Sequence, residues 1–348
     1  MRRLSLLFGL CLLCLLCRQA FSGELENIKK RGYLACGVRG VVGLGIDNAD
    51  GEFSGFEVDI CKALAISIFG DSSKTKFVKI NVKERFNDLK DGKYDVLLGM
   101  TTINFNRSAI DGISPAVNVF YDTQLVLAKS SLKVDSLDEL ADSQKKVNVC
   151  FVEGNNAKDN FEHYLLSRDL KLNYVKSFYD QSEFLSGKAV ASCDLMVNDG
   201  LLLMTYKATN PYITDEDYLY ISDVISMDAL AMFVKDDKEM VKIARMTFNT
   251  MLIAEQMNIN SKNIDKRLFF DIGNSEMMSL YGTGSSSFLK MGLTKNFAYN
   301  IIKNIGNYEE IYNRNIGDKT AFKVPRKYNH LIKDGGVMYS PSVGVLPE

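Results

Sequence analysis

Short apolar runs alternate along this chain with amphipathic segments of helical period. The clearest amphipathic segment is Lys238–Met257, in which Val241, Ala244, Phe248 and Met251 recur on one face. This alternation predicts α/β units built on mainly parallel sheets. The predicted strands are Tyr33–Val38, Phe77–Val82, Val96–Leu98, Val147–Phe151, Leu195–Val197 and Leu230–Val234, and the predicted helices are Asp59–Phe69, Glu84–Lys90, Ala157–Ser167 and Lys238–Met257.

The first 22 residues have the three parts of a secretory signal peptide. Arg2 and Arg3 form a charged start, residues 4–17 form an apolar run, and Ala20-Phe21-Ser22 is a small-residue cleavage site. The run is too short to span a bilayer well, and no later stretch is long and apolar enough to anchor the chain. We therefore expect cleavage after Ser22 and release into the periplasm.

Length and charge limit the classes of partner. The chain of 348 residues suits two domains, and its net charge of −1 becomes −4 without the three arginines of the leader. Proteins that bind nucleic acid or an anionic membrane usually carry a positive charge, which this chain lacks, so no nucleic-acid partner is expected. His163 and His330 are the only histidines, too few for a typical metal site or catalytic triad. We predict no catalytic residues, no metal and no cofactor.

Four cysteines follow the leader, namely Cys36, Cys61, Cys150 and Cys193. An even count in an exported protein indicates disulfides, and four cysteines allow three connectivities. Pairing Cys36 with Cys61 and Cys150 with Cys193 keeps each bridge local, and this is the pairing that we predict. The alternative is four buried free thiols.

The segment Ser54–Ala65 resembles the "GFDVDLAKAIA" segment of family 3 solute-binding proteins, the soluble receptors of polar amino acid ABC transporters. Three later blocks carry the same resemblance, and the C-terminal segments resemble the tail of the general L-amino-acid-binding subgroup. Together they span nearly the whole mature chain. These blocks and segments are Leu89–Val96 with Thr101–Arg107, Val149–Asn156, Cys193–Asp199, Ala298–Ile311, Arg314–Gly317 and Gly335–Pro341.

The resemblance implies a role for each residue of a ligand site. Thr102 and Arg107 match the pair that grips a ligand α-carboxylate, for which a guanidinium offers a rigid charged fork. Asp199 matches the carboxylate that receives the ligand ammonium. For Arg107 the alternative is an exposed loop arginine, and for Asp199 it is a turn or helix cap.

Two further positions depart from the family pattern. Asn155 and Asn156 stand where hydroxyl residues usually meet the carboxylate at a helix N-terminus, and simple capping explains them equally well. Related proteins carry an aromatic residue near the arginine block, and in this chain, which has no Trp, Phe105 or Tyr121 can substitute.

The resemblance implies an α/β, two-lobed periplasmic-binding-protein fold (type II) with two hinge crossover strands and a central cleft. Lobe I is expected over residues 24–126 plus 230–348, with a C-terminal extension, and lobe II over residues 127–229. The function expected is periplasmic binding of free L-amino acids by a monomer and delivery to an ABC transporter permease. Two alternatives are an exported enzyme on the same scaffold, resembling cyclohexadienyl dehydratase, and a ligand-sensing or partner-binding protein.

Overall fold

The computed structural model describes residues 23–48, 50–282 and 287–342. The predicted signal peptide, residues 1–22, lies outside these described residues. Ten strands carry the labels β1–β10 in chain order. They are β1 Leu34–Val38, β2 Ile46–Asp47, β3 Phe53–Ser54, β4 Thr75–Lys79, β5 Val96–Leu97, β6 Ile113–Lys129, β7 Lys146–Val152, β8 Asn173–Tyr179, β9 Leu195–Asp199 and β10 Tyr218–Lys235.

Eight strands form one mixed sheet in the order β4-β1-β5-β10-β6-β9-β7-β8. The four pairings within β4-β1-β5 and β9-β7-β8 are parallel, whereas the three that involve β6 or β10 are antiparallel. The long strands β6 and β10, of 17 and 18 residues, therefore join two parallel sets of strands. This arrangement confirms the predicted α/β fold with two crossover strands. The predicted lobe boundaries fall within these two strands and stay a prediction.

Fifteen helices, labelled α1–α15, occur within the described residues. They are α1 Glu24–Arg31, α2 Phe56–Phe69, α3 Arg85–Lys90, α4 Phe105–Ser108, α5 Leu137–Asp142, α6 Ala157–Ser167, α7 Gln181–Phe184, α8 Gly187–Ser192, α9 Gly200–Thr209, α10 Lys238–Gln256, α11 Ile264–Phe270, α12 Ser275–Leu280, α13 Ser287–Lys290, α14 Phe297–Asn304 and α15 Tyr308–Asn315. Of the described helices, not one has the length and apolar character that crossing a membrane demands.

Helix α2 begins at Phe56, three residues before the predicted start at Asp59. The earlier start depends on Gly55, which has φ of 135° and at which a Cβ would overlap the Leu44 carbonyl. Backbone carbonyls of the preceding loop accept hydrogen bonds from N–H groups in the first turn of the helix. The Gly43 carbonyl, for example, accepts from the Phe56 N–H at 2.9 Å. The helix ends as predicted at Gly70, in the left-handed conformation that glycine adopts without strain.

Element boundaries differ from the predictions mainly in the strands. Helix α6 has the predicted bounds, but the strand predicted over Phe77–Val82 is Thr75–Lys79. The segment Leu230–Val234 is only the end of β10, because polar residues interrupt the apolar pattern in the rest of that strand. Strand β8 lies at the edge of the sheet and is mostly solvent-exposed, so its sequence has no continuous apolar run.

The C-terminal segment packs on the half of the sheet that contains β1. Tyr308 and Tyr312 of α15 contact the ring of Phe56 in α2, at centroid distances of 5.9 and 6.3 Å. Arg326 forms a buried ion pair with Glu255 of α10 at 2.9 Å. These contacts extend the main hydrophobic core, which includes residues from α2, α10, α14 and α15.

Both predicted disulfides are present. Cys36 of β1 is bonded to Cys61 of α2, and Cys150 of β7 is bonded to Cys193, which follows α8. All four cysteines are fully buried. Each bridge therefore fastens a helical segment to the parallel strand beside it.

We expect each bridge to stabilise the fold by roughly 3–4 kcal/mol, because it closes a loop of tens of residues in the unfolded chain. The double variants Cys36→Ser/Cys61→Ser and Cys150→Ser/Cys193→Ser should each lose about that much unfolding free energy in urea titrations. Wild-type protein with reductant is the matched control, and it should lose more than either variant alone. Non-reducing peptide mapping that linked Cys36 to Cys150 or Cys193 would contradict the pairing.

Candidate functional site

The centre of the sheet carries a patch of buried polar side chains on three adjacent strands. In the strand register, Gln124 of β6 lies opposite Asp199 of β9, and Asp122 lies opposite Asp228 of β10. Directly opposed residues, and residues two apart on one strand, share a face of the sheet. These four side chains therefore lie on one face, and all of them are buried.

Arg107 is held beside this patch by short-range contacts. It lies in α4, where its backbone N–H donates to the capping Asn104 side chain at 2.9 Å. Its guanidinium donates from Nη1 to the backbone carbonyl of Thr102 at 2.9 Å. Residues 101–103 pair in turn with β10, since the Ile103 N–H donates to the Ala229 carbonyl at 2.9 Å. Arg107 is thus fixed relative to the central strands.

Thr102 takes part through its backbone rather than its side chain. Its residue is 7% exposed, and within the described part of the chain its hydroxyl makes no hydrogen bond. The hydroxyl therefore remains available as a donor next to the Arg107 guanidinium. Its predicted contact with a ligand carboxylate stays a prediction.

Three contacts join residues 83–107 to the turn at residues 153–156. Arg107 Nη2 donates to the Asn156 side-chain oxygen at 2.8 Å, and Arg85 Nη2 donates to the Gly154 carbonyl at 3.2 Å. Lys83 and Glu153 form an ion pair nearer the surface. The two segments come from opposite ends of the sheet, so these contacts close the space between them.

The side chains of Asn155 and Asn156 make different contacts at the start of α6. The Asn155 side-chain oxygen accepts from the Ala157 N–H at 3.0 Å, which is a capping interaction, and its amide donates to Asn198 at 3.0 Å. Asn156 occupies the N-cap position but makes no capping bond with its side chain, which binds Arg107 instead. Capping thus explains Asn155, whereas Asn156 belongs to the arginine cluster.

Asp199 is 5% exposed, and its carboxylate accepts from the Gln124 amide at 3.4 Å. It precedes α9 but does not cap it, because the Asp122 carboxylate accepts from the Leu201 N–H instead. Burial raises the pKa of Asp199, and the positive charges of Arg39, Arg107 and Arg85 oppose that rise. Asp199 therefore lies within electrostatic reach of all three arginines.

The sequence analysis missed two of these arginines. Arg39 follows β1 and Arg85 begins α3, and each is only 3% exposed. Neither forms an ion pair with any described residue. Burial, together with repulsion from Arg107 and Arg39, lowers the pKa of Arg85 to about 9. Two buried guanidinium groups are therefore crowded next to the half-buried one of Arg107.

Nearby groups fix the position of the two missed arginines. The two oxygens of the buried Glu57 carboxylate accept hydrogen bonds from the backbone N–H groups of Arg39 and Met100, each at 2.7 Å. The Phe86 ring lies against the guanidinium groups of Arg85 and Arg107, at 5.3 and 5.7 Å. The one available signal in the sequence was that Arg39 directly follows a fully buried strand.

The candidate aromatic residues lie apart from this cluster. The Tyr121 backbone N–H donates to the Asn329 side chain at 2.7 Å, and the Tyr121 hydroxyl accepts from Asn118 at 3.3 Å. Phe105 is 96% exposed. The structure thus brings Arg107, Asn156 and Asp199 together and places Tyr121 against the C-terminal segment. Within the residues described, no group of three or more His, Cys, Asp or Glu side chains could hold a metal ion.

Comparison with known proteins adds to this geometry. Residues 35–271 match the model of a family described as bacterial extracellular solute-binding proteins, family 3. The chain is 34% identical over 332 residues to the Escherichia coli (strain K12) protein YhdW, covering 93% of this chain and 94% of that protein. It is 31% identical over 346 residues to the general L-amino acid-binding periplasmic protein AapJ of Rhizobium johnstonii (strain DSM 114642 / LMG 32736 / 3841), covering 98% of each.

A solved structure is similar over nearly the same length. It is an ABC transporter periplasmic binding protein from Brucella ovis with glutathione bound, and its TM-score is 0.83 at 30% sequence identity. The match covers 92% of this chain and 99% of that chain.

The crowding of guanidinium groups predicts that Arg85→Met raises the stability of the ligand-free protein. Replacing a buried, uncompensated charge by an apolar side chain of similar length should add about 1–2 kcal/mol to the unfolding free energy in urea. The surface variant Lys83→Met, which loses only a solvent-exposed ion pair, should leave the unfolding free energy close to that of the wild type. A loss of stability in Arg85→Met larger than that of Lys83→Met would contradict the prediction.

Proposed function

The chain belongs to the family 3 bacterial extracellular solute-binding proteins, and we propose that it binds a free L-amino acid and delivers it to the permease of an ABC transporter. The observation that carries this proposal is that Arg107, which is half-buried, and the buried Asp199 lie within electrostatic reach of one another in one site. A cation and an anion placed in this way match the two charged ends of a zwitterion. The name of the relative AapJ, a general L-amino acid-binding periplasmic protein, supports the same conclusion.

The proposed site lies between two lobes, residues 24–126 plus 230–348 and residues 127–229. On this division Arg107 belongs to lobe I, whereas Asn156 and Asp199 belong to lobe II. A ligand held by Arg107 and Asp199 would then contact both lobes and keep them together. Tyr121 lies in lobe I, where its backbone is bonded to Asn329 of the C-terminal segment, and a contact of Tyr121 with the ligand stays a prediction.

We assign the function to the periplasm, after removal of residues 1–22. Helix α1 begins at Glu24, two residues beyond the proposed cleavage site, so cleavage there would spare every described element. The two disulfides also suit an oxidising compartment.

The enzyme alternative requires a cleft group that is free to transfer protons. Two of the buried carboxylates are engaged otherwise. Asp122 accepts the N–H groups of Leu201 and Thr123, and Asp228 accepts the Ser226 hydroxyl at 2.6 Å. Family membership favours binding over turnover. A receptor returns its ligand unchanged, which chromatography of the incubated mixture would distinguish from catalysis.

The two-ended clamp predicts which chemical groups a ligand must have. Arg107→Ala and Asp199→Ala should each weaken amino acid binding more than tenfold, because truncating one partner of a desolvated charge pair costs about 2–5 kcal/mol. Arg107→Lys should also weaken binding, since a point charge cannot replace the guanidinium fork. The exposed Arg168→Ala is the matched control and should bind as the wild type does.

Calorimetry with L-amino acids, their decarboxylated amines and their deaminated acids measures both ends of the clamp. We expect neither the amines nor the acids to bind as tightly as the parent amino acids. Equal binding of either class would show that the corresponding end of the clamp does not exist.

The raised pKa of Asp199 predicts a pH dependence of binding. Burial raises this pKa above that of an ordinary aspartate, so the carboxylate takes up a proton at a higher pH and then no longer pairs with an ammonium group. Affinity should therefore fall as the pH is lowered through this raised pKa. Asp199→Asn should bind weakly and show much less change over the same pH range. A wild-type affinity that stayed constant down to pH 4 would contradict this assignment.

A further inference from the structure

Three of the ten buried polar side-chain atoms that lack a hydrogen-bond partner within the described residues belong to two arginines of this site. They are Nε and Nη2 of Arg39 and Nε of Arg85, and each of the three is a hydrogen-bond donor. The Tyr206 hydroxyl lies next to Arg39. A buried donor without an acceptor costs about 1–3 kcal/mol, so such a concentration indicates a place where an acceptor-rich group binds.

These donors are distinct from the groups assigned to the α-amino and α-carboxylate ends of a ligand. Arg107 has its guanidinium held by Thr102 and Asn156, and Asp199 provides the anion. Arg39 approaches from the end of β1 and Arg85 from the start of α3, and neither is paired with a carboxylate. The site therefore has two more cations than a single α-carboxylate needs.

The charges of the site lead to the same conclusion. Asp199 is the carboxylate that interacts with all three arginines. Asp122 caps α9, and Asp228 accepts from the Ser226 hydroxyl and interacts with Arg107. Glu57 interacts with Arg39, but both oxygens of its carboxylate accept backbone N–H groups. The guanidinium groups of Arg39 and Arg85 therefore lack carboxylate acceptors, which a second carboxylate on the ligand would supply.

We infer that this site selects amino acids whose side chain carries a carboxylate, such as glutamate and aspartate, and that Arg39 and Arg85 bind that second carboxylate. Guanidinium groups suit this task because two of their N–H groups match the two oxygens of a carboxylate. The inference rests on the proposed function, because it takes Arg107 and Asp199 as the anchors of the ligand backbone.

The test compares acids with their uncharged amides of nearly equal size. Calorimetry on the wild type with L-glutamate, L-glutamine, L-aspartate and L-asparagine should show each acid bound at least tenfold more tightly than its amide. Arg39→Met and Arg85→Met should each lower that ratio several-fold. Arg39→Lys and Arg85→Lys keep the charge and should retain more of the ratio. Arg107→Lys should weaken the acid and the amide alike and leave the ratio near its wild-type value.

The outcomes separate this inference from the proposed function. If the wild type binds none of the four ligands and no other amino acid, the proposed function is wrong. If it binds the amides as tightly as the acids, amino acid binding stands and the inference is wrong. Variants that fold, as circular dichroism shows, and lose acid and amide equally would also overturn it. The wild-type comparison needs no variant, so a misfolded arginine variant does not weaken the test.

Discussion

Three guanidinium groups, two of them buried and one half-buried, lie around one carboxylate, and the centre of this protein depends on this arrangement. Guanidinium groups stay protonated, so their burial near one another is costly unless each finds partners. The protein supplies some of these hydrogen-bond partners. Backbone carbonyls and Asn156 accept from Arg85 and Arg107, and Phe86 lies against both. Arg39 receives less, since two of its nitrogens lack a partner. A ligand could supply the hydrogen-bond acceptors that these guanidinium groups still lack.

The fold holds this costly arrangement in place from several directions. The disulfide Cys36–Cys61 fastens β1 to α2, and Glu57 of that helix binds the backbone N–H of Arg39. The pairing of β6 with β9 sets Gln124 opposite Asp199. These constraints act on the backbone, so they hold the charged side chains close together without neutralising them. The stability of the surrounding core therefore compensates for strain at the site, as is common where a site is prepared for a ligand.

The sequence was informative where a residue belonged to a motif and uninformative where it stood alone. Arg107 and Asp199 could be predicted because a threonine, an asparagine turn and a strand end accompany them in a fixed order. Arg39 and Arg85 could not, because an isolated arginine is usually exposed and only packing reveals its burial. The fold class followed from alternating apolar and amphipathic segments. The full length of β10 could not be predicted in this way. Ser222, Asp223 and Asp228 interrupt the apolar pattern, and their side chains find hydrogen-bond partners only in the folded sheet.

On the proposed two-lobed arrangement, the same charges would couple ligand binding to closure of the site. The contacts of Arg107 with Asn156 and of Arg85 with Gly154 exist only while the two segments are close. Without a ligand, that closeness keeps like charges together in a dry environment, whereas separation would return them to water. A bound anion of the kind we propose would reverse this preference, because it would supply acceptors that the open form obtains from solvent. A ligand shifts an equilibrium only by its differential affinity for the two states, and here that difference would arise from the unpartnered donors of Arg39 and Arg85. The groups that would recognise the ligand are thus also the groups that would make closure depend on it.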